Sequence, residues 1–279
     1  MNNQISEFIK NALKEDVNSG DVTSLACIDE NTMGEIKLIA KDDCYISGLK
    51  LANHIYNFFD NKVVPSFFFH DGDFVKKNSV VFSAIGKQRS LLATERLILN
   101  CIQRMSGITT KTKKIVEEVK GTNVKILDTR KTCPNIRFLD KLAVKLGGGF
   151  NHRFGLYDQM MIKENHIDFC GGIEKSIKKC VNYNKLKGKK IPIIIEVRNI
   201  EELQKVLNFG GVNRVILDNF NIKMTKEAVR LTNSKISLES SGNITIENIR
   251  KYAECGVNFI SVGSLTHSVK SIDLSMLIT

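Results

Sequence analysis

Basic residues crowd a short part of the chain: Arg130 and Lys131, then His152 and Arg153, with Lys163 close behind. Three carboxylates follow downstream, at Glu196, Asp218 and Glu239. Brought around one cavity, these groups would make a bipolar pocket. Its cationic side suits an organic polyanion, because a guanidinium fork matches a carboxylate or phosphate with two parallel hydrogen bonds. Its acidic side suits a sugar hydroxyl or a metal ion, Mg²⁺ preferring carboxylate oxygens and retained water. The plain competitor is a set of unrelated surface ion pairs.

Two small-residue clusters add a second kind of chemistry. Ser240-Ser241-Gly242-Asn243 precedes a helix-like run over residues 245–254, and Gly263-Ser264-Leu265-Thr266-His267-Ser268 follows a final apolar run. Small side chains and free backbone N–H groups at such places form a phosphate cradle. Gly147-Gly148-Gly149 is read differently, as a tight turn that delivers His152 and Arg153. It does not have the Walker A pattern. His54 and His70 have no evident partner and read as structural.

The elements that must position these groups follow from periodicity. Ile5, Phe8, Ile9 and Leu13 share one helical face, and Asn18-Ser19-Gly20-Asp21 ends it. Residues 34–86 read as a small α+β unit: an alternating run from Glu35 to Ala40, a helix over 49–59, and β-rich runs over 63–69 and 79–85. A long helix is expected over about 90–119, with Gly107 as a possible break. Beyond residue 120, six short apolar runs alternate with helical segments, at 124–127, 160–162, 193–197, 214–217, 235–238 and 259–262. This alternation predicts a parallel barrel or a doubly wound sheet. A barrel is favoured because nearly every run ends in a polar or small cluster, and a barrel gathers strand ends at one mouth.

Composition narrows the classes. With 279 residues and 42% hydrophobic content the chain can bury a real core, and 3 prolines with no low-complexity tract argue against disorder. Lys and Arg exceed Asp and Glu by 41 − 30 = 11, which favours anionic partners of some kind. Much of that excess is scattered lysine on helix faces. Seven cysteines without a C-x-x-C pair read as reduced thiols, not as a zinc site or a disulfide framework. No stretch resembles a signal peptide or a membrane span, so a cytoplasmic location and no membrane partner are expected.

Taken in order, the residues resemble quinolinate phosphoribosyltransferase, the carboxylating nicotinate-nucleotide pyrophosphorylase family, over nearly the full length. The resemblance rests on Glu15-Asp16 with Gly20-Asp21-Val22-Thr23, Thr94-Glu95-Arg96 with Asn100, and Ser106-Gly107-Ile108. It continues with Asp128-Thr129-Arg130-Lys131-Thr132, Pro134 and Arg137, then Gly147-Gly148-Gly149, Asn151-His152-Arg153, Gly155-Leu156 and Asp158. Ile162-Lys163 with Asn165-His166, Glu196-Val197, Leu217-Asp218-Asn219, Glu239-Ser240-Ser241-Gly242, Val262-Gly263 and Leu265-Thr266-His267-Ser268 complete it. The run from Asp128 to His166 is the most specific part. Two positions depart from the family pattern: Ile194 replaces the first acid of an E-V-E run, and Asn243 replaces a second glycine after Ser241-Gly242.

The resemblance implies an incomplete α/β barrel with an N-terminal α/β sandwich domain. The expected domains are 1–108, completed by 268–279, and a catalytic barrel over 109–267. It implies a pentosyltransferase that converts quinolinate and phosphoribosyl pyrophosphate to nicotinate mononucleotide, pyrophosphate and CO₂ in NAD biosynthesis. By the same likeness Arg130, His152, Arg153 and Lys163 bind the quinolinate carboxylates, with Arg96 supplied across a homodimer interface. Lys131, Glu196 and Asp218 serve catalysis on phosphoribosyl pyrophosphate, Glu196 and Asp218 also meeting a Mg²⁺ cofactor, while Ser241, Gly242, Gly263 and His267 receive the 5-phosphate. Rivals of the same architecture are a nicotinate phosphoribosyltransferase, which couples to ATP and releases no CO₂, and a pyrophosphorylase-like protein associated with molybdenum transport. A non-catalytic nucleic-acid-binding protein would instead interleave basic side chains with exposed aromatics; Trp is absent and the aromatics lie in apolar runs, so no nucleic-acid partner is expected.

Overall fold

The computed structural model describes residues 3–278. They form two compact units: residues 3–113, 132–148 and 265–278, and residues 114–131 and 149–264.

The first unit opens with α1 (Asn3–Asp16), which buries Ile9 and Leu13 of the apolar face read from the sequence. Asp21 then caps α2 (Val22–Cys27) by accepting the amides of Thr23 and Ser24. β1 (Met33–Ala40), β2 (Cys44–Tyr45), α3 (Leu49–Phe59), β3 (Val64–Phe67), β4 (Phe74–Val75) and β5 (Val80–Lys87) follow. In β1 the alternation predicted from Glu35 to Ala40 puts Ile36, Leu38 and Ala40 inside. The antiparallel order of this sheet is β12-β1-β5-β3, where β12 (Leu274–Ile278) returns from the end of the chain to pair with β1.

Next comes α4 (Gln88–Glu118), a single 31-residue helix. Gly107 does not break it, contrary to the expected interruption. A β-carbon there would collide with the carbonyl of Lys270, so the glycine serves close approach of the returning chain. α5 (Arg137–Leu146) also belongs to this unit, and its C-cap Gly147 has an ordinary helical φ of −75°. A side chain at Gly147 would meet Thr112 Cβ at 2.6 Å and Thr109 O at 2.7 Å. Of the glycine triplet, Gly148, with φ +87°, takes the turning conformation, while Gly147 is there for packing.

In the second unit six strands run parallel: β6 (Lys125–Leu127), β7 (Met160–Ile162), β8 (Ile193–Val197), β9 (Arg214–Asp218), β10 (Ser237–Ser241) and β11 (Phe259–Ser261). Their order is β6-β11-β10-β9-β8-β7. No pairing joins β6 to β7 among the described residues, so the barrel is incomplete. The connecting helices are α6 (Glu164–Cys170), α7 (Ile173–Leu186), α8 (Ile200–Phe209), α9 (Ile222–Thr232) and α10 (Ile249–Ala253), and α11 (Ser264–His267) follows β11. Strand interiors such as Ile193, Ile194 and Ile195 or Val215, Ile216 and Leu217 are almost completely buried, as expected of parallel strands covered on both faces.

Two of the shifted boundaries bear on the candidate site. β10 begins at Ser237 and runs to Ser241, which draws Glu239 and Ser240 into the strand and off its polar exit. The helix expected over 245–254 starts only at Ile249. Asn248 closes a turn on Thr245 N at 2.9 Å and donates to Asn243 O at 3.1 Å, a local alternative that competes with helix.

Candidate active site

Parallel strands end at one rim, and the residues that follow β6, β7, β8 and β9 therefore share it. Leu127 bridges Phe150 in parallel, with Phe150 N donating to Ile126 O at 2.8 Å and Asp128 N to Phe150 O at 3.1 Å. That bridge makes residues 151–153 leave alongside residues 128–130, so His152 and Arg153 arrive beside Arg130.

The charges there sense one another. Burial, then the nearby Arg130, disfavours the charged form of Arg153 and pulls its guanidinium below the usual arginine range, while Asp158 and Glu196 act in the opposite direction. Arg153 donates to Gln159 O at 3.1 Å, and Asp158 holds the adjoining turn by accepting the amides of Phe154 and Gly155 at 2.6 and 3.0 Å. Arg130 Nε is buried with no hydrogen-bond partner among the described residues. Two neighbouring guanidinium groups, one with an unmet buried donor, need an anion.

Lys163 reaches both oxygens of Glu196, at 2.7 and 2.8 Å. The cationic and acidic halves expected from the sequence are thus not fully segregated; they meet at this pair. Burial raises the Glu196 carboxyl above its ordinary range, Lys163 opposes that, and the charges of Asp218 and Glu164 add to it. Period-two alternation places Ile194 on the same face of β8 as Glu196 and deeper in the strand, fully buried. The acid retained at this site is Glu196, and Ile194 packs below it.

Glu239 behaves differently. It is 1% exposed inside β10, where Arg214 donates to Oε2 at 2.8 Å and the Ser261 hydroxyl donates to Oε1. His152 Nε2 faces Oε1 at 3.5 Å. Burial opposes ionisation, yet His152, Ser261 and Arg214 outweigh it and hold the Glu239 carboxyl below the usual range. Arg214 also stacks 3.7 Å from the centre of the Phe259 ring. Glu239 is therefore an interior group, not a rim carboxylate. Arg214 and Ser261 were not singled out from the sequence; the available signal was an arginine opening the apolar run of β9 and a serine within that of β11, both on strands that pair with β10.

The glycine loop after β10 takes the left-handed conformation at two successive residues, Gly242 at φ +94° and Asn243 at +49°. Asparagine tolerates this region, so the departure from a second glycine keeps the loop conformation. Asn219 N donates to Ser241 O at 2.9 Å and Asn243 Nδ2 to Asn219 Oδ1 at 3.1 Å, tying this loop to the exit of β9. Because the helix starts at Ile249, any cradle is built from loop backbone and not from a helix N-terminus. Gly263 follows β11 in the same unit. Lys131 is exposed, and its amide donates to Thr129 Oγ1 at 3.1 Å. Arg96, exposed on α4, and His267, exposed at the end of α11 with Nδ1 2.7 Å from Ser268 Oγ, belong to the first unit.

No group of three or more His, Cys, Asp or Glu side chains among the described residues is arranged to hold a metal ion. Glu196 and Asp218 offer two neighbouring hard oxygen donors, which suits an ion that takes its remaining ligands from substrate and water. No helix among the described residues is long and apolar enough to cross a membrane.

Comparison with known proteins agrees with the sequence resemblance. The family described as "Quinolinate phosphoribosyl transferase, N-terminal domain" matches residues 21–106, and its "C-terminal domain" counterpart matches residues 108–277. The chain is 38% identical over 276 residues to a probable nicotinate-nucleotide pyrophosphorylase [carboxylating] of Bacillus subtilis, covering 99% of this chain and 94% of that one. It is 39% identical over 287 residues to the chloroplastic enzyme of that name in Arabidopsis thaliana, covering 98% and 82%. Among solved structures, NadC from Streptococcus pyogenes superposes with a TM-score of 0.92 at 36% identity, covering 99% of this chain and 98% of that chain. The nicotinate-nucleotide pyrophosphorylase from Francisella tularensis gives 0.93 at 37%, covering 100% and 97%.

Proposed function

The chain belongs to the quinolinate phosphoribosyltransferase family, and from that premise we propose how its residues divide the work. The reaction joins quinolinate to phosphoribosyl pyrophosphate and yields nicotinate mononucleotide, pyrophosphate and CO₂, a step of NAD biosynthesis. Arg130, Arg153 and Lys163 bind the two quinolinate carboxylates. The observation that carries this is the Arg130–Arg153 juxtaposition with a buried, unpartnered Arg130 Nε. A dicarboxylate satisfies both forks and competes with Glu196 for Lys163.

Lys131 meets the pyrophosphate, and Ser241, Gly242 and Gly263 receive the 5-phosphate. The support is the tight turn after β10, where Gly242 and Asn243 both take positive φ and the glycine lets a ligand approach the backbone closely. Glu196 and Asp218 face the ribose, where their charge favours the positive character that grows on the anomeric carbon as pyrophosphate leaves. The same two carboxylates would hold Mg²⁺, which when bound supplies positive charge to the departing pyrophosphate. The quinolinate nitrogen then bonds to the anomeric carbon. The bond to the carboxylate beside that nitrogen breaks, its electron pair is stabilised by the new pyridinium, CO₂ leaves, and a solvent proton takes its place.

Arg96 completes the quinolinate site from a second copy in a homodimer; its exposure on α4 is what supports that reading. Unpaired cysteines throughout the described residues fit a cytoplasmic setting. Incubating the purified chain with quinolinate, phosphoribosyl pyrophosphate and Mg²⁺ should release CO₂ and nicotinate mononucleotide one for one. Turnover of nicotinate with ATP and no CO₂ would overturn the assignment.

A further inference from the structure

His152 is placed so that both ring nitrogens are directed at protein groups. Nδ1 lies 2.7 Å from the backbone nitrogen of Arg153, which can only donate. Nδ1 must therefore present its lone pair, and a proton on it would point at the amide N–H. Nε2 lies 3.5 Å from Oε1 of Glu239, a charge contact without hydrogen-bond geometry, and with Nδ1 accepting it is the nitrogen that carries the ring proton. The geometry thus leaves Nδ1 as the acceptor and turns Nε2 toward Glu239.

The holder is well anchored. Glu239 is fixed from the other side by Arg214 and Ser261, and the side chains of His152 and Glu239 are 5% and 1% exposed. The backbone of His152 is fixed as well, its amide donating to the fully buried Asp128 at 2.8 Å. Next along the chain is Arg153, half-buried, whose guanidinium donates to Gln159 O at 3.1 Å.

We propose that Glu239 is a positioning residue for Arg153: it sets the His152 tautomer whose Nδ1 clamps the Arg153 amide, and through that clamp aims the guanidinium at a quinolinate carboxylate. His152 is then a relay inside the protein and not a direct cationic ligand. This rests on the proposed role of Arg153 in quinolinate binding.

Two substitutions of the ring separate the roles of its nitrogens. In His152→Asn the new side-chain carbonyl falls near the place of Nδ1 and can still accept the Arg153 amide, whereas His152→Gln sets its polar end near the place of Nε2. The first variant should keep a quinolinate KM about tenfold or more below that of the second, the factor expected for one lost hydrogen bond near a charge, with KM for phosphoribosyl pyrophosphate within about threefold between them. Glu239→Gln offers Arg214, Ser261 and His152 a single acceptor, and it should raise the quinolinate KM by about tenfold as well. Ring ¹⁵N shifts of histidine-labelled protein, with the His152→Asn spectrum identifying the signal, should report a bare Nδ1 and a protonated Nε2 in the unsubstituted chain. A proton on Nδ1, or equal quinolinate KM values for the two His152 variants, overturns the relay. In either case unsubstituted protein that still forms nicotinate mononucleotide and CO₂ leaves the function standing, and protein that forms neither removes the function itself. Should Glu239→Gln fail to fold, the His152 pair and the spectrum still decide.

Discussion

Arg104 grips Asp140 through two hydrogen bonds, 2.9 Å from Nε and 2.8 Å from Nη2, and Asp140 is fully buried. The same carboxylate accepts the amide of Cys133 at 3.2 Å, and Arg104 also donates to Thr266 O at 3.1 Å. One ion pair thus ties α4, α5, the loop at Cys133 and Thr266 of α11. Removing the cation alone strands a buried charge. Arg104→Ala should cost about 3 kcal/mol, and the double variant Arg104→Met, Asp140→Leu should recover most of it. Urea unfolding measures both; an unchanged midpoint in Arg104→Ala would show that the pair is dispensable.

The buried Nε of Arg130 makes no hydrogen bond among the described residues, so its loss removes no hydrogen bond from the fold. Arg130→Ala should therefore leave stability within about 1 kcal/mol while lowering kcat/KM by about a hundredfold or more. Arg130→Lys should restore only a small part, because an ammonium cannot form the paired hydrogen bonds. Steady-state kinetics alongside thermal melting checks this, and near-normal turnover of Arg130→Ala would remove Arg130 from the site.

Gly242 combines φ +94° with a neighbour, Asn219 Oδ1, that a β-carbon would strike. Gly242→Ala should cost about 1–3 kcal/mol through backbone strain. If the loop receives the 5-phosphate, KM for phosphoribosyl pyrophosphate should rise more than KM for quinolinate. A loss of stability with both KM values intact would leave the loop structural only.

Asp21 carries a pH signature. The Ser24 hydroxyl, then the Ser24 amide, hold its carboxyl below the usual carboxylate range, with the Thr23 amide adding to them against a small burial effect. A depressed folded-state value means that the cap's contribution is present above the unfolded value of about 4 and is lost as pH falls through the folded one. The stability gap between the unsubstituted chain and Asp21→Ala should be full at neutral pH and narrower at an acid pH below the unfolded value. Chemical unfolding at both pH values measures it, and a gap independent of pH would mean that the cap does not act through its charge.

Period alone revealed most of the architecture. The runs at 160–162 and 193–197 match β7 and β8, and the clusters after them do lie at one rim, because a parallel sheet gives its strands a common direction. Where periodicity was weak, boundaries slipped. Glu239 to Ser241 read as a polar exit after a run at 235–238, yet β10 continues through them beside β9 and β11, and those ladders override local propensity. The helix after Asn243 starts late because the Asn248 side chain satisfies the backbone by a shorter route.

By itself the order of residues determined the family, the class of reaction and which side chains could carry charge to the rim, since these depend on residue type and spacing along the chain. Only the tertiary structure decided how those charges are used. Lys163 is held by Glu196, Glu239 is withdrawn into the interior with Arg214, and His152 has its ring oriented by the adjacent Arg153 and by Glu239, which is remote along the chain. The reason is physical: a formal charge is a property of one residue, but whether it binds substrate or another side chain depends on distance, burial and competing donors, which arise only when remote strands are packed side by side.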